Sequence, residues 1–454
     1  MPTRVLVPCG VLGLGFDPAA LDAGVKARPD IISIDGGSTD SGPFYLGTGT
    51  SKYARGVCRR QWRALMVARA AAGVPLVMTT CGTCGVAAMV DEAYAMTREL
   101  AAELGQTLTI ARLYSDQSPD QIIAAHHQSR LTPLTPAPVI DETRLAAMTH
   151  VVALAGAEQI DAALLTGADI VLAGRATDTA GIAALPLRRG EHPGGCWHGA
   201  KIGECGAFCS NEPATGVIMM TFDHDGFTVQ AMAPKATCTP QSVSAHMLYE
   251  NVDPFELVEP GGVLDVRAAR YEALSGGRVR VEGSHWHAHE EYTVKLEGAY
   301  LAGYQTMILA MIREPRYVNE IEAWVADMLI TARRDIASSL NLASEDYSLD
   351  VRLVGKNAVL GTREPAQSQP IEIGVLLMMT AKDSTTAREL ADVMNPYMLH
   401  HPLSAQEALP TFAFPYSPAS VDRGPLYEFG LNHVLHLDDP MQAFRLKVDE
   451  VRCG

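Results

Sequence analysis

The chain has 454 residues, 47% of them hydrophobic, with nine cysteines and a formal net charge of −16. That length calls for more than one core, and the negative balance argues against nucleic acid or an anionic membrane as the main partner, though a local basic cluster can still hold a small anion. No apolar run reaches the roughly 18 residues of a membrane span, the start MPTRVLVPCGVLG reads as a strand rather than a signal peptide, and an odd set of thiols away from staple spacings suits a reduced, cytoplasmic compartment.

The first two-fifths of the chain repeats one pattern: an apolar run, a polar or Gly-rich turn, then a helical pattern. The runs 4–9, 30–35, 75–80, 107–114, 151–155 and 169–173 are rich in Val, Ile and Leu, as parallel strands buried on both faces are. Helices are predicted between them over 57–72, 86–105 and 158–166. This alternation predicts an α/β domain over residues 1–190 with a mostly parallel sheet flanked by helices. Ligands of such sheets sit outside the carboxyl ends of the strands.

Those ends read DGGSTDSGP (35–43), TTCGTCG (79–85), YSDQSPD (114–120), AGAEQ (155–159) and AGRATDT (173–179). In the first, Gly36 and Gly37 permit close backbone approach, Ser38 and Thr39 supply hydroxyls, and Asp35 and Asp40 supply carboxylates. A pure turn has little use for so many consecutive polar residues, so residues 35–42 are predicted to form part of an active site. Lys52, Arg55, Arg59 and Arg63 then follow at steps of three, four and four, one stripe of a helix. The stripe is either an anion cradle or a solvated face paired with acidic neighbours. Arg175 and Asp178 in GRATDT form either a carboxylate clamp or a pair that orders the loop.

Cys81 and Cys84 lie just before a predicted helix, whose positive end favours thiolate. Three chemistries suit them: a nucleophilic or proton-transfer thiol, a redox pair, or half of a metal site. The alternative is two small buried thiols in a tight turn. The second cluster a metal would need is poor, because Cys205 and Cys209 are four apart rather than three. Glu204 and His246 are candidates for acid and base, since a carboxyl and an imidazole can be tuned toward neutral pH.

Past residue 180 the segment ALPLRRGEHPGGCW breaks the alternation and leads into a β-rich α+β region over 191–345. GVIMMTFDHDGFTVQAMAP is predicted to be a hairpin turning at DHDG, and RVRVEGSHWHAH with EYTVKLEGAYLAGY a strand pair. His285, His287 and His289 alternate along it, as three zinc ligands or as solvated histidines. A long helix over 315–340, strands 348–354 and 371–380, a helix 384–400 and a last strand 427–437 give an α+β tail, with a small C-terminal domain over 346–454.

SAHMLYENVDPFELVEPGGVLDV (244–266), GGRVRVEGS (276–284) and YTVKLEGAYLAGY (292–304) resemble the acyclic terpene utilisation (AtuA) family, as do DGGSTDSGPFYLGTG and GRATDT. VRLVGKNA (351–358) and RGPLYEFGLNHVLHLDDP (423–440) resemble a small domain often encoded beside such proteins, here fused. The resemblance implies bacterial catabolism of branched or carboxylated acids, often as coenzyme A thioesters, and brings no settled reaction. The functional expectation is a lyase of the hydratase type acting on a small (poly)carboxylic acid or acyl-CoA, in a homo-oligomer. Two alternatives stand beside it: an isomerase or racemase with Cys81 or Cys84 facing Cys205, and a non-catalytic acyl-CoA-binding subunit. The cofactor is left open, a divalent metal ion being one reading.

Overall fold

A computed structural model describes residues 1–365 and 370–452; Cys453 and residues 366–369 of the expected C-terminal domain lie outside the described residues. The chain divides into two compact units, Met1–Tyr300 with Phe429–Gly454, and Leu301–Glu428.

The first unit is built on a ten-stranded mixed sheet. Its centre is parallel, in the order Thr3–Val7, Ile31–Asp35, Leu76–Thr79, Ile170–Ala173, Leu108–Tyr114. Every residue of Ile31–Asp35, Leu76–Thr79 and Ile170–Ala173 is buried. Helices cover both faces, which is why those strands carry continuous apolar runs. Pro18–Lys26, Arg55–Ala72 and Ala87–Leu104 pack in one layer, and Ala157–Leu164, Ala180–Arg188 and Pro193–Gly203 in another. The expected parallel α/β core is therefore present.

Antiparallel strands extend this centre. Ile218–Phe222 and Gly226–Ala231 form the hairpin read at DHDG, closing with Phe222 opposite Phe227, and Asp223 accepts hydrogen bonds from the amides of Asp225 and Gly226. Arg278–Glu282 and Arg270–Leu274 continue outward. At the other edge Arg445–Val451, not foreseen as a strand, pairs with Leu108–Tyr114.

Two expected pairings are different. The run expected as a parallel strand at 151–155 forms Met148–Ala153 outside the main sheet, antiparallel to the first part of Tyr292–Ile312. An apolar run carries burial but not the identity of its sheet. The expected pairing of 278–289 with 291–304 does not form, because Gly283, at φ +83°, divides the first segment. Arg278–Glu282 stays in the large sheet, whereas His285–Ala288 pairs with Gly262–Asp265.

The second unit has an antiparallel sheet in which Ile373–Ala381 lies between Tyr347–Val354 and the later part of Tyr292–Ile312. Burial alternates strictly along Ile373–Ala381, the pattern of a sheet covered on one face. Ile321–Ser339 and Ser384–His400 pack together and supply that cover. Trp324, Met328, Ala332 and Ile336, at steps of four, form the buried stripe of the first helix.

Candidate functional site

Asp35 ends a buried strand, and the loop after it is tightly braced. The amide of Gly36 donates to Thr79 O at 2.7 Å, and that of Gly37 to Asp35 Oδ1 at 3.2 Å. Ser38 caps the short turn Thr39–Ser41 through the Asp40 amide, and its hydroxyl donates to Asp40 Oδ2 at 2.9 Å. Thr39 turns away and donates to Glu297 Oε2 at 2.7 Å. A Cβ on Gly36 would lie 2.7 Å from Thr80 O, and one on Gly37, where φ is +137°, would lie 2.5 Å from Thr83 Cα. These two glycines let two loops pack against each other, which differs from the expected ligand access to bare backbone.

The opposing loop, TTCGTCG, is equally compact. Cys81 donates its amide to Ala173 O at 3.0 Å and Thr83 to Gly36 O at 3.0 Å. Both thiols are fully buried. Burial pushes the Cys81 thiol far up and raises Cys84 to about 11. The expectation of a thiolate here is therefore corrected: a helix end contributes up to ~2 kcal/mol, whereas full burial shifts a group by up to ~3–5 pKa units. Gly85 closes the loop at φ +66°, where a Cβ would lie 2.1 Å from the backbone nitrogen of Arg175. Gly85→Ala is expected to cost ~3 kcal/mol, strain and overlap acting together, measured as a lower denaturation midpoint.

Beside the first loop lies a cleft of about 510 Å³ lined by Asp35, Ser38, Asp40, Lys52, Asp178, Glu204 and Cys205, with Tyr249 and Glu250. The structure thus gathers, from three separate segments, Asp35, Ser38, Asp40, Asp178, Glu204 and Cys205 among the sequence candidates. Beside them, ligand atoms of Glu204, Cys205 and His246 all lie within 4.8 Å of one another, as do those of Asp40, Asp178 and Glu250. Cys81 and Cys84 do not line this cleft, so the two-thiol arrangement with Cys205 is not formed. Arg55 and Arg59 pair with Glu92, Glu99 and Glu103 of the neighbouring helix; of the basic stripe, Lys52 alone lines the cleft, its ammonium donating to Ser41 Oγ at 3.2 Å.

Behind the cleft the buried guanidinium of Arg175 is committed within the protein. It donates to Glu297 Oε2 at 3.1 Å, Asp178 Oδ1 at 3.2 Å and Ala176 O at 2.9 Å. This is the loop-ordering pair rather than a free carboxylate clamp. Burial would raise Glu297, but Arg175 and Lys295 outweigh it and hold the carboxyl down at about 2.

The cleft carboxyls go the other way. Burial, then the negative charge of Asp178, raises Asp35 well above the ordinary carboxylate range, against the pull of Arg175; the two carboxyls are close enough for a proton on one to bond the other. Burial raises Glu204 to about 8 despite an ion pair with Lys201; outside the cleft lining, burial raises Glu259, acceptor of the Thr179 hydroxyl, to about 7. Burial and Lys201 lower His246 to about 4.

Sequence reading missed Lys201, Tyr249, Glu250, Glu259 and Glu297. Glu297 did carry a signal: an acidic residue inside an apolar strand run must find a partner to be buried. Among the described residues His285, His287 and His289 form no cluster of potential metal ligands.

A family model described as acyclic terpene utilisation family protein AtuA matches residues 48–189 and 201–423. The match takes in Arg175, Asp178, Glu204, Cys205 and His246, and begins after Asp35. No curated protein and no solved structure matches the chain.

Proposed function

The chain belongs to the acyclic terpene utilisation (AtuA) family, and from that premise we propose that it is a lyase of the hydratase type, working on a small carboxylic acid or acyl-CoA thioester. The observation that carries this reading is the pair Asp35–Asp178 on the cleft wall, two carboxyls close enough to share a hydrogen bond, one of them buried and raised. Burial and the nearby Asp178 oppose ionisation of Asp35 and raise it toward the range where one carboxyl can both take and give a proton. Elimination of water needs that combination. The ionised carboxyl takes a proton from the carbon next to the carboxylate or thioester carbonyl. A protonated group delivers its proton to the departing hydroxyl, the C–O bond breaks, a C=C bond forms, and water leaves.

Lys52 supports substrate placement, since its ammonium lines the same cleft and suits a carboxylate or phosphate. The fully buried thiols Cys81 and Cys84 give the isomerase alternative no support. The test follows substrate carbon-bound protons by NMR in D2O, using a panel of short carboxylic acids and their CoA thioesters. Exchange into the α position by the native protein, absent in Asp35→Asn, is the expected outcome. Tight binding without exchange across the panel would favour a non-catalytic acyl-CoA-binding subunit.

A further inference from the structure

We propose that Glu204, Cys205 and His246 form a binding site for one divalent transition-metal ion of the zinc class. The three come from two stretches far apart in sequence, and their ligand atoms lie within 4.8 Å of one another, a spacing one ion can bridge. An independent observation points to a missing partner. His246 is only 6% exposed, and its Nε2 is buried without any hydrogen-bond partner. A buried polar atom left unpaired costs about 1–3 kcal/mol, and an imidazole nitrogen is the commonest metal donor. The ring is held in place, stacked on Tyr249 with centroids 5.4 Å apart and planes at 18°.

The donor set selects the ion. One sulfur, one imidazole nitrogen and one carboxylate oxygen suit zinc, with cobalt(II) as its spectroscopic stand-in, rather than magnesium or calcium, which prefer oxygen alone. Three protein ligands leave the fourth tetrahedral position for water or a substrate oxygen. Lys201 bonds one oxygen of Glu204, and the carboxylate keeps another for the ion. When the ion binds, the Cys205 thiol releases its proton to solvent as the sulfur–metal bond forms.

The surroundings favour a cation. Asp35, Asp40, Asp178, Glu204 and Glu250 line the cleft against the lining ammonium of Lys52, with the buried ammonium of Lys201 paired to Glu204. An anionic substrate would meet repulsion there, and a divalent ion at the cleft wall would offset part of it. The proposal stands apart from the lyase reading, because metal binding is read without any turnover.

The experiment titrates chelator-treated full-length protein with Co2+, following the thiolate-to-cobalt charge-transfer absorption, then displaces it with Zn2+. One equivalent per chain with that absorption is expected. Cys205→Ser should abolish the absorption, and His246→Gln, which keeps a polar side chain of similar size, should weaken binding by at least the ~10–100-fold known for outer-shell partners alone. Cys58→Ser, a thiol elsewhere in the fold, should change neither. The proposal is overturned if the native protein gives no charge-transfer band, if the band survives in Cys205→Ser, or if His246→Gln binds as tightly as the native chain.

Discussion

Asp35→Asn is expected to lower turnover by ~100-fold or more, the usual scale for a group that moves a proton in the transition state. The loss should fall on kcat more than on KM, since Lys52 and the rest of the cleft remain. The same change should not destabilise the protein. Asp35 is raised on folding, so above its ordinary range its ionised form opposes the native state; an amide, which cannot ionise, removes that penalty. Lost activity with unchanged or raised denaturation midpoint therefore separates a catalytic role from misfolding. Asp178→Asn adds a second readout. The rate should fall at the acid end as Asp35 becomes protonated, and this limb should lie above the ordinary carboxylate range. Removing Asp178 takes away the second cause of the shift and leaves burial, so the limb should move to lower pH without reaching the ordinary value. A limb that does not move, with near-normal turnover in Asp35→Asn, would reduce the loop to a structural turn.

The second large effect is on stability. Glu297→Gln is expected to cost ~3–5 kcal/mol at neutral pH, because it leaves the buried guanidinium of Arg175 short of a counter-charge. The sign with pH follows from the lowered carboxyl. Its folded value is about 2 against 4.5 for the free group, so its contribution is fully present above about 4.5 and is lost as pH falls through about 2. The gap between native chain and variant, measured by denaturant unfolding at several pH values, should be widest near neutrality and narrow in acid. The glutamine carbonyl keeps an acceptor for the Thr39 hydroxyl, but its amide nitrogen then faces the Lys295 ammonium that bonds Glu297 Oε1, so the loop that carries Asp40 should loosen and turnover should fall with it. Equal unfolding midpoints at every pH would remove Glu297 from this role.

Several features of the molecule were legible from its residues alone. Unbroken apolar runs such as IISID and LVMT can be satisfied only between two helical layers, so the parallel core follows from hydrophobicity and period. The DHDG hairpin follows from turn chemistry, and a cleft beside Asp35 from the fact that strand ends in such sheets face open space. The strand at 148–153 was legible as a strand but not as a member of its sheet, because an apolar run records that it is buried and not against what.

The site was legible as a set of residue types and not as a geometry. TTCGTCG reads as reactive thiols until the chain packs around them, since burial opposes the thiolate by more than the helix end favours it. Arg175 reads as a clamp until Glu297, 122 positions later, takes the guanidinium. The meeting of His246 with Glu204 and Cys205 is decided by tertiary structure alone. Sequence specifies donors and local turns through short-range sterics and hydrogen bonding. Which donors share a cleft, and which charges survive burial there, depends on contacts between segments that only the packed fold brings together.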